Sequence, residues 1–268
     1  MTQPVNYTHG HAESVLRSHR SRTAYDSAAY LVPHLRPGLS LLDIGCGPGT
    51  ITADLAELVA PATVTALELT EEALNGARVE GARRRQDGVV FRLGDVQDLD
   101  LPDDAFDVVH AHQVLQHVGD PEQALREMRR VCRPGGLVAV RDSDYAGFTW
   151  WPMVPELDEW LALYRAAARA NGGEPDAGRR LLSWARAAGF SDITATSSTW
   201  CYATEEQRVW WGGMWADRVT SSALGKQLLT SGAASEDDLT RIADGWRRWA
   251  EAGDGWLSVL HGELLCRA

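Results

Sequence analysis

The stretch Leu-Leu-Asp-Ile-Gly-Cys-Gly-Pro-Gly-Thr at residues 41–50 constrains the fold more than any other part of the chain. An apolar run from Leu39 to Ile44 ends in three glycines at alternate positions, Gly45, Gly47 and Gly49, and the amphipathic segment Ile51 to Val59 follows at once. That order predicts a strand, a tight turn and a helix. Glycine suits such a turn because a side chain would hold a ligand away from the backbone and would penalise positive φ. Read alone the turn is either structural or a seat for a nucleotide-like ligand, and its neighbours decide between the two.

The same alternation continues to residue 142. Strand Thr63–Leu69 is expected before helix 71–85, strand Val89–Leu93 before a loop to about 105, and strand Asp107–His112 before helix Pro121–Cys132. Gly135-Gly136 is expected to break the chain ahead of strand Leu137–Asp142. Strands separated by crossover helices form a parallel, doubly wound α/β sheet, and ligands in such sheets bind beyond the carboxyl ends of the strands. Asp43 to Gly49, Glu68, Asp95, His112 and Asp142 to Asp144 should therefore converge. The remainder divides into a polar, mostly helical N-terminal cover at 1–38, a core at 39–145, helical cap segments at 146–191 and 203–255, and closing strands at 192–202 and 256–268. Within the cap the helices are expected at about 155–171, 176–188, 204–217, 220–231 and 235–252. All of this reads as one domain.

The ligand can be narrowed by charge. A dinucleotide fingerprint, G-x-G-x-x-G/A, needs a third small residue for close helix packing beneath a pyrophosphate; here that position is Thr50. Asp43, two residues before the first glycine, would sit poorly beside a pyrophosphate and well near a cationic ligand. S-adenosylmethionine carries an ammonium and a sulfonium, and its one carboxylate can use the free N–H groups that open the helix at Thr50. Glu68 ends the second strand 19 residues after Gly49, the spacing at which an acid takes ribose hydroxyls. NAD proteins place an acid there too, so Glu68 and its neighbour Leu69 support a nucleoside without choosing its kind. Gly94-Asp95-Val96 follows the third strand, where Asp95 can accept from an adenine amine while Val96 lies against the ring.

Composition excludes several partners. A formal net charge of −11 over 268 residues makes the chain a poor match for a polyanion, so nucleic acid is not expected. The basic clusters Arg83-Arg84-Arg85 and Arg129-Arg130 with Arg133 fall late in expected helices, where cations suit the dipole. No apolar run approaches a membrane span and no leader pattern opens the chain, so a cytoplasmic protein is expected. Cys46, Cys132, Cys201 and Cys266 lack C-x-x-C spacing, which predicts free thiols.

The motifs together resemble a class I S-adenosylmethionine-dependent methyltransferase of the ubiquinone/menaquinone-methyltransferase-like, small-molecule type. The resemblance rests on Leu-Asp-Ile-Gly-Cys-Gly-Pro-Gly, Val-Thr-Ala-Leu-Glu-Leu-Thr, Gly-Asp-Val-Gln-Asp-Leu-Asp-Leu-Pro-Asp-Asp-Ala-Phe-Asp-Val-Val, Leu-Gln-His-Val and Leu-Arg-Glu-Met-Arg-Arg-Val-Cys-Arg-Pro-Gly-Gly, and covers about residues 39–142. It implies a seven-stranded Rossmann-like sheet with the last strand antiparallel. It also implies cofactor contacts at Asp43, Gly45, Gly47, Glu68, Asp95, Val96, His112 and Gln113; Cys46, Gly49 and Thr50 of the same loop are candidate contacts beside them. Glu68 stands where the family more often has Asp, and Gln116-His117 where many members have His-His.

Methyl transfer from a sulfonium is an in-line displacement, in which the protein's main contribution is to bring nucleophile and methyl together. A protonated nucleophile also needs a base. His117, just past the fourth strand, is the first candidate, and Asp144 with Asp142, past the fifth, the second; a loop-orienting histidine and a strand-end turn are the bland alternatives. His110, His112 and His117 invite a metal reading, but no Cys or acid stands nearby at ligand spacing, and no metal is expected. All 11 tryptophans lie between Trp150 and Trp256. Trp150, Trp151, Trp210, Trp211 and Trp215 are candidates for the wall of an acceptor pocket, with core packing as the competing use. Tyr7 and Arg22 can close over the cofactor, Arg22 on its carboxylate. The expected partner is a small-molecule acceptor, with a homodimer as the one assembly considered. A protein or peptide methyltransferase, a non-methylating cofactor binder and an NAD-dependent oxidoreductase stay open as other readings.

Overall fold

The computed structural model describes Thr8, residues 13–85 and residues 87–268, so Tyr7, His9 and His11 lie outside the described residues. The first half runs α1 (Glu13–Arg20), α2 (Ala24–Ser27), β1 (Leu41–Ile44), α3 (Thr50–Val59), β2 (Val64–Glu68), α4 (Glu71–Arg83), β3 (Val89–Leu93), β4 (Phe106–His112), α5 (Pro121–Val131) and β5 (Cys132–Ser143). The second runs β6 (Thr149–Trp151), α6 (Pro155–Ala170), α7 (Leu181–Ala187), β7 (Ile193–Tyr202), α8 (Glu205–Ser221), α9 (Ala223–Thr230), α10 (Glu236–Glu251) and β8 (Trp256–Arg267). These form two compact units. A sheet unit holds residues 19–143, 177–198 and 261–268, and a helical unit holds 144–176 and 199–260 with the described residues before 19.

In the sheet unit the strand order is β3-β2-β1-β4-β5-β8. The first five strands are parallel to their neighbours, while β8 runs antiparallel to β5 from Leu137↔Arg267 to Ser143↔His261. All four residues of β1 are buried because helices cover both faces of a parallel sheet. Leu41, Val108 and Ala139 face the α2–α3 side with Ile51 and Leu55, and Leu42, Val109 and Val138 face Leu125, Met128 and Leu181 of α5 and α7. Helix α5 starts where it does because Asp120 accepts from the Gln123 N–H at 2.8 Å and Pro121 supplies the first helical position. The sheet order reverses between β1 and β4, which leaves a crevice at their carboxyl ends.

Two expectations change. Gly135-Gly136 does not break the chain: β5 begins at Cys132, paired with Phe106, and an irregularity between Phe106 and Val108 resets the register before Val108 meets Leu137. Pro134 has no N–H to give a ladder, and Gly135 takes φ +77°, so the bulge absorbs both without leaving the sheet. The described strands also number eight rather than seven. The additional one is β6, whose Thr149–Trp151 pair antiparallel with Ser258–Trp256 of β8 in the helical unit; three residues carry too little alternation to be read as a strand.

The helical unit owes its cohesion to aromatic packing. Trp160 of α6 meets Trp215 of α8 and Trp246 of α10 edge to face, at 4.5 and 4.8 Å between ring centroids. Trp211 and Trp215, one helical turn apart, share the buried face of α8. Helices α8 and α10 approach closely at Gly212, where a Cβ would lie 2.8 Å from the Trp246 carbonyl. Capping boxes at Thr204/Gln207 and Ser235/Asp238 satisfy the first N–H groups of both helices. Among the described residues no helix is long and apolar enough to cross a membrane.

Candidate functional site

At the β1–β4 crevice the loop after β1 forms a cradle. Its cleft, about 370 Å³ of empty space with its mouth included, is lined by His19, Arg22, Asp43, Gly45, Cys46, Gly47, Pro48, Thr50, Ile51 and His112. Seven of these are residues that the sequence nominates; His19, Pro48 and Ile51 are additional. Gly47 has φ +54° and no atom within 4 Å of where a Cβ would stand, so its backbone faces open space. Gly49 serves packing instead: it caps α3 at φ +81°, and a Cβ there would lie 3.0 Å from Ala77 Cα. A Cβ on Gly45 would collide with Val114. An open backbone turn followed by the N-terminus of α3 suits a ligand with a carboxylate and a flat nucleoside.

Asp43 is placed differently from the expectation of a carboxylate turned to a cationic ligand. It is 2 % exposed. Its Oδ1 lies 2.8 Å from His110 Nδ1 and its Oδ2 accepts from the Thr52 hydroxyl at 2.5 Å. Both oxygens therefore tie β1 to β4 and α3, and the carboxylate acts on the cleft through its charge and through the loop it anchors. His110 is thereby used as a partner of Asp43, and no group of three or more metal-ligating side chains occurs among the described residues.

Glu68 at the end of β2 accepts from the Gly47 N–H at 2.7 Å through Oε1 and from the Leu69 N–H at 3.0 Å through Oε2. A carboxylate at this place has the acceptor chemistry that ribose hydroxyls need. Leu69 beside it is 65 % exposed, an apolar side chain standing where a ring could cover it. Gly94 N–H donates to the Glu68 carbonyl at 2.9 Å, which brings the turn after β3 to the same edge. There Asp95 Oδ1 accepts from the Gln97 N–H at 2.9 Å and Val96 is buried.

Beyond β4 the residues are polar and enclosed. Burial, with Arg141 and Arg22 nearby, holds the His112 imidazole well below its ordinary pKa, so it is neutral. Gln113 takes φ +55°, a conformation that a residue with a side chain adopts only where its surroundings enforce it. Its N–H donates to the Arg141 carbonyl at 2.7 Å, and its Nε2 lies 2.9 Å from His261 Nε2. It does not line the loop cleft. His261 is a residue that the sequence reading missed: it sits on β8 opposite Ser143 and stacks on His112 at 6.2 Å. No local motif marks it, because only the antiparallel register of β8 carries it to this edge.

The turn Leu115–His117 follows. Asp142 on β5 accepts from the backbone N–H groups of Leu115 and Gln116, the latter at 3.0 Å, and burial raises its carboxyl to about 7. His117 is pushed down to about 3, first by burial and then by Arg22. An imidazole so weakly basic is poorly matched to proton removal near neutrality. Asp144 falls in the helical unit, where it accepts from the Gly147 N–H at 3.1 Å and so holds a strand-end turn. The tryptophans are there too. Trp150, Trp211 and Trp215 are buried in the aromatic core, and Trp210 is partly buried against it. Trp151 is 54 % exposed and donates from Nε1 to Asp254 at 2.9 Å. Packing between helices is thus the contact that the structure records for most of them.

A family model described as "Methyltransferase domain" matches residues 35–207. An uncharacterized methyltransferase of Schizosaccharomyces pombe is 33 % identical over 276 residues, covering 98 % of this chain and 97 % of its own. The 27-O-demethylrifamycin SV methyltransferase of Amycolatopsis mediterranei is 35 % identical over 140 residues, 51 % of each chain. Among solved structures, a Haemonchus contortus phosphoethanolamine N-methyltransferase in complex with S-adenosylhomocysteine superposes with a TM-score of 0.57 at 17 % identity, over 90 % of this chain and 52 % of its own. With the glycine cradle, the acid at the end of β2 and the parallel order β3-β2-β1-β4-β5, these likenesses identify the chain as a member of the S-adenosylmethionine-dependent methyltransferase family.

Proposed function

We propose that this enzyme transfers a methyl group from S-adenosylmethionine to an oxygen, nitrogen or carbon atom of a small, apolar or aromatic metabolite in the cytoplasm. The observation that carries the reading is the cleft at the β1–β4 crevice, where an open Gly47 backbone, the N-terminus of α3 and Glu68 meet. A small acceptor is supported by the relative named for a rifamycin precursor and by the formal net charge of −11, which disfavours a polyanion.

Bound S-adenosylmethionine supplies an electrophilic methyl on a sulfonium. The chain's own residues orient the reactants. Arg22 on the cleft wall pairs with a carboxylate, the N–H groups at Thr50 add to it, Glu68 takes ribose hydroxyls, and Leu69, Asp95 and Val96 receive the adenine. Holding the nucleophile in line with the methyl lowers the barrier by ordering the two reactants in advance. The decisive experiment incubates the protein with isotopically labelled cofactor and a metabolite extract, and identifies by mass spectrometry which compound gains the label. Label in a protein fraction and in no small molecule would reassign the acceptor.

A further inference from the structure

The turn after β4 carries Gln116, which makes three directed hydrogen bonds inside the sheet unit. It is 3 % exposed. Its backbone N–H donates to Asp142 Oδ1 at 3.0 Å, its Oε1 accepts from the Ser143 hydroxyl at 2.6 Å, and its Nε2 lies 2.9 Å from His117 Nε2. A 2.6 Å contact is the length of an O–H···O bond, shorter than amide N–H···O bonds run, so the carbonyl faces Ser143 and the NH₂ faces the imidazole. An amide NH₂ has hydrogens and no lone pair to offer. The nitrogen it meets must therefore be unprotonated, and a neutral ring then carries its proton on Nδ1.

We propose that Gln116, clamped by Asp142 and Ser143, is a positioning residue that locks His117 as the Nδ1-protonated imidazole, so that His117 enters the methyl-transfer site as a hydrogen-bond donor and not as the proton acceptor. The proposal rests on the reading of this edge as a methyl-transfer site. The groups around the ring agree with it. Arg22 is the charged group that acts on His117, and like burial it opposes a second proton on the ring. Asp142 accepts from the Gln116 backbone N–H through Oδ1 and so fixes where Gln116 stands, and its contact is with the backbone of the turn, not with the His117 ring. Taking a proton at Nε2 would mean breaking the Gln116 bond and placing a cation on a half-buried ring on which Arg22 already acts.

Two-bond proton–nitrogen correlation spectra of the full-length protein labelled with ¹⁵N-histidine test this, with the His117 signals assigned from a His117→Gln sample. The expected result is an Nδ1-protonated ring that does not titrate between about pH 5 and pH 9. In Gln116→Glu a carboxylate, which can only accept, should move the proton to Nε2 and bring the ring's titration toward neutrality. In Gln116→Met, which can neither donate nor accept there, the single tautomer should give way to a mixture. A wild-type ring protonated on Nε2 or titrating near its ordinary value, or a tautomer unchanged in both variants, overturns the proposal. Calorimetry of S-adenosylmethionine on the wild-type protein is run alongside. Absence of cofactor binding would sink the functional reading and leave the tautomer result standing, whereas normal binding with the wrong tautomer would sink only the role of Gln116.

Discussion

The Glu68 carboxylate accepts a hydrogen bond from the Gly47 N–H at 2.7 Å, so the tip of the glycine loop and the end of β2 are held as one piece. The side chain expected at ribose distance also shapes the cradle. Glu68→Ala should lose both, and calorimetry should show S-adenosylmethionine affinity reduced by about 10–100-fold, the equivalent of roughly 1.4–2.8 kcal/mol. Glu68→Asp keeps the charge but shortens the reach, and an intermediate loss is expected. Unchanged affinity in Glu68→Ala would remove this carboxylate from the cofactor site.

Gly47 and Gly49 separate binding from folding. Gly47→Ala meets open space, so its structural cost is the positive φ alone, about 1–2 kcal/mol, while its methyl group projects into the cleft. Gly49→Ala meets the Ala77 backbone at 3.0 Å and must displace α4 as well. Chemical denaturation should therefore find Gly49→Ala the less stable of the two, and calorimetry should find Gly47→Ala to have lost more affinity for its stability. The opposite order would place the ligand elsewhere.

Asp43→Ala should damage the fold before it reports on the ligand. It leaves the His110 Nδ1 and the Thr52 hydroxyl without their partner in a buried site, at a cost of about 2–6 kcal/mol. Thermal unfolding should show the drop. Asp43→Asn, which keeps one acceptor oxygen, should recover about half of it, and a variant as stable as the wild type would show that the Asp43–His110 contact contributes little.

Asp142 gives a pH signature with a definite sign. Burial raises its folded pKa from 3.8 to about 7, so protonation favours the folded state. Its contribution is complete below about pH 4 and lost as pH rises through 7, a difference of at most about 4 kcal/mol. Asp142→Asn, which keeps an acceptor for the Leu115 and Gln116 N–H groups, should melt above the wild type at pH 8, and the gap should narrow as pH falls through 7 and close below about pH 4. A gap independent of pH would assign the effect to packing.

The aromatic core of the helical unit offers a contrast between two tryptophans. Trp160 is 1 % exposed and touches Trp215 and Trp246, so Trp160→Ala should cost about 3–5 kcal/mol in urea unfolding. Trp151, 54 % exposed, should cost under about 1 kcal/mol. Labelled-cofactor turnover with the identified acceptor would then tell which of the exposed aromatics it touches: Trp151→Ala raising KM at unchanged stability would place that side chain on the acceptor.

By itself the sequence determined the order of strands and helices, the glycine cradle and the cofactor, because these depend on local periodicity, turn chemistry and short motifs. Helix ends fell where Thr70, Asp120, Thr204 and Ser235 cap them. What only the tertiary structure decided are relationships between residues far apart in the chain. β6 has three residues and exists because β8 pairs with it, and Cys132–Gly136 stay in the sheet because a bulge in β5 takes up the extra residues opposite Phe106–Val108 of β4. Asp43 is committed to His110, 67 residues away, and His261 reaches Gln113 across 148 residues through the antiparallel register of β8. His117 looked like a base because imidazole titrates near neutrality in water. Folding takes much of the ring out of water within reach of the Arg22 charge and sets its Nε2 against Gln116, and desolvation and a fixed hydrogen bond are properties of the packed molecule that a residue type does not carry.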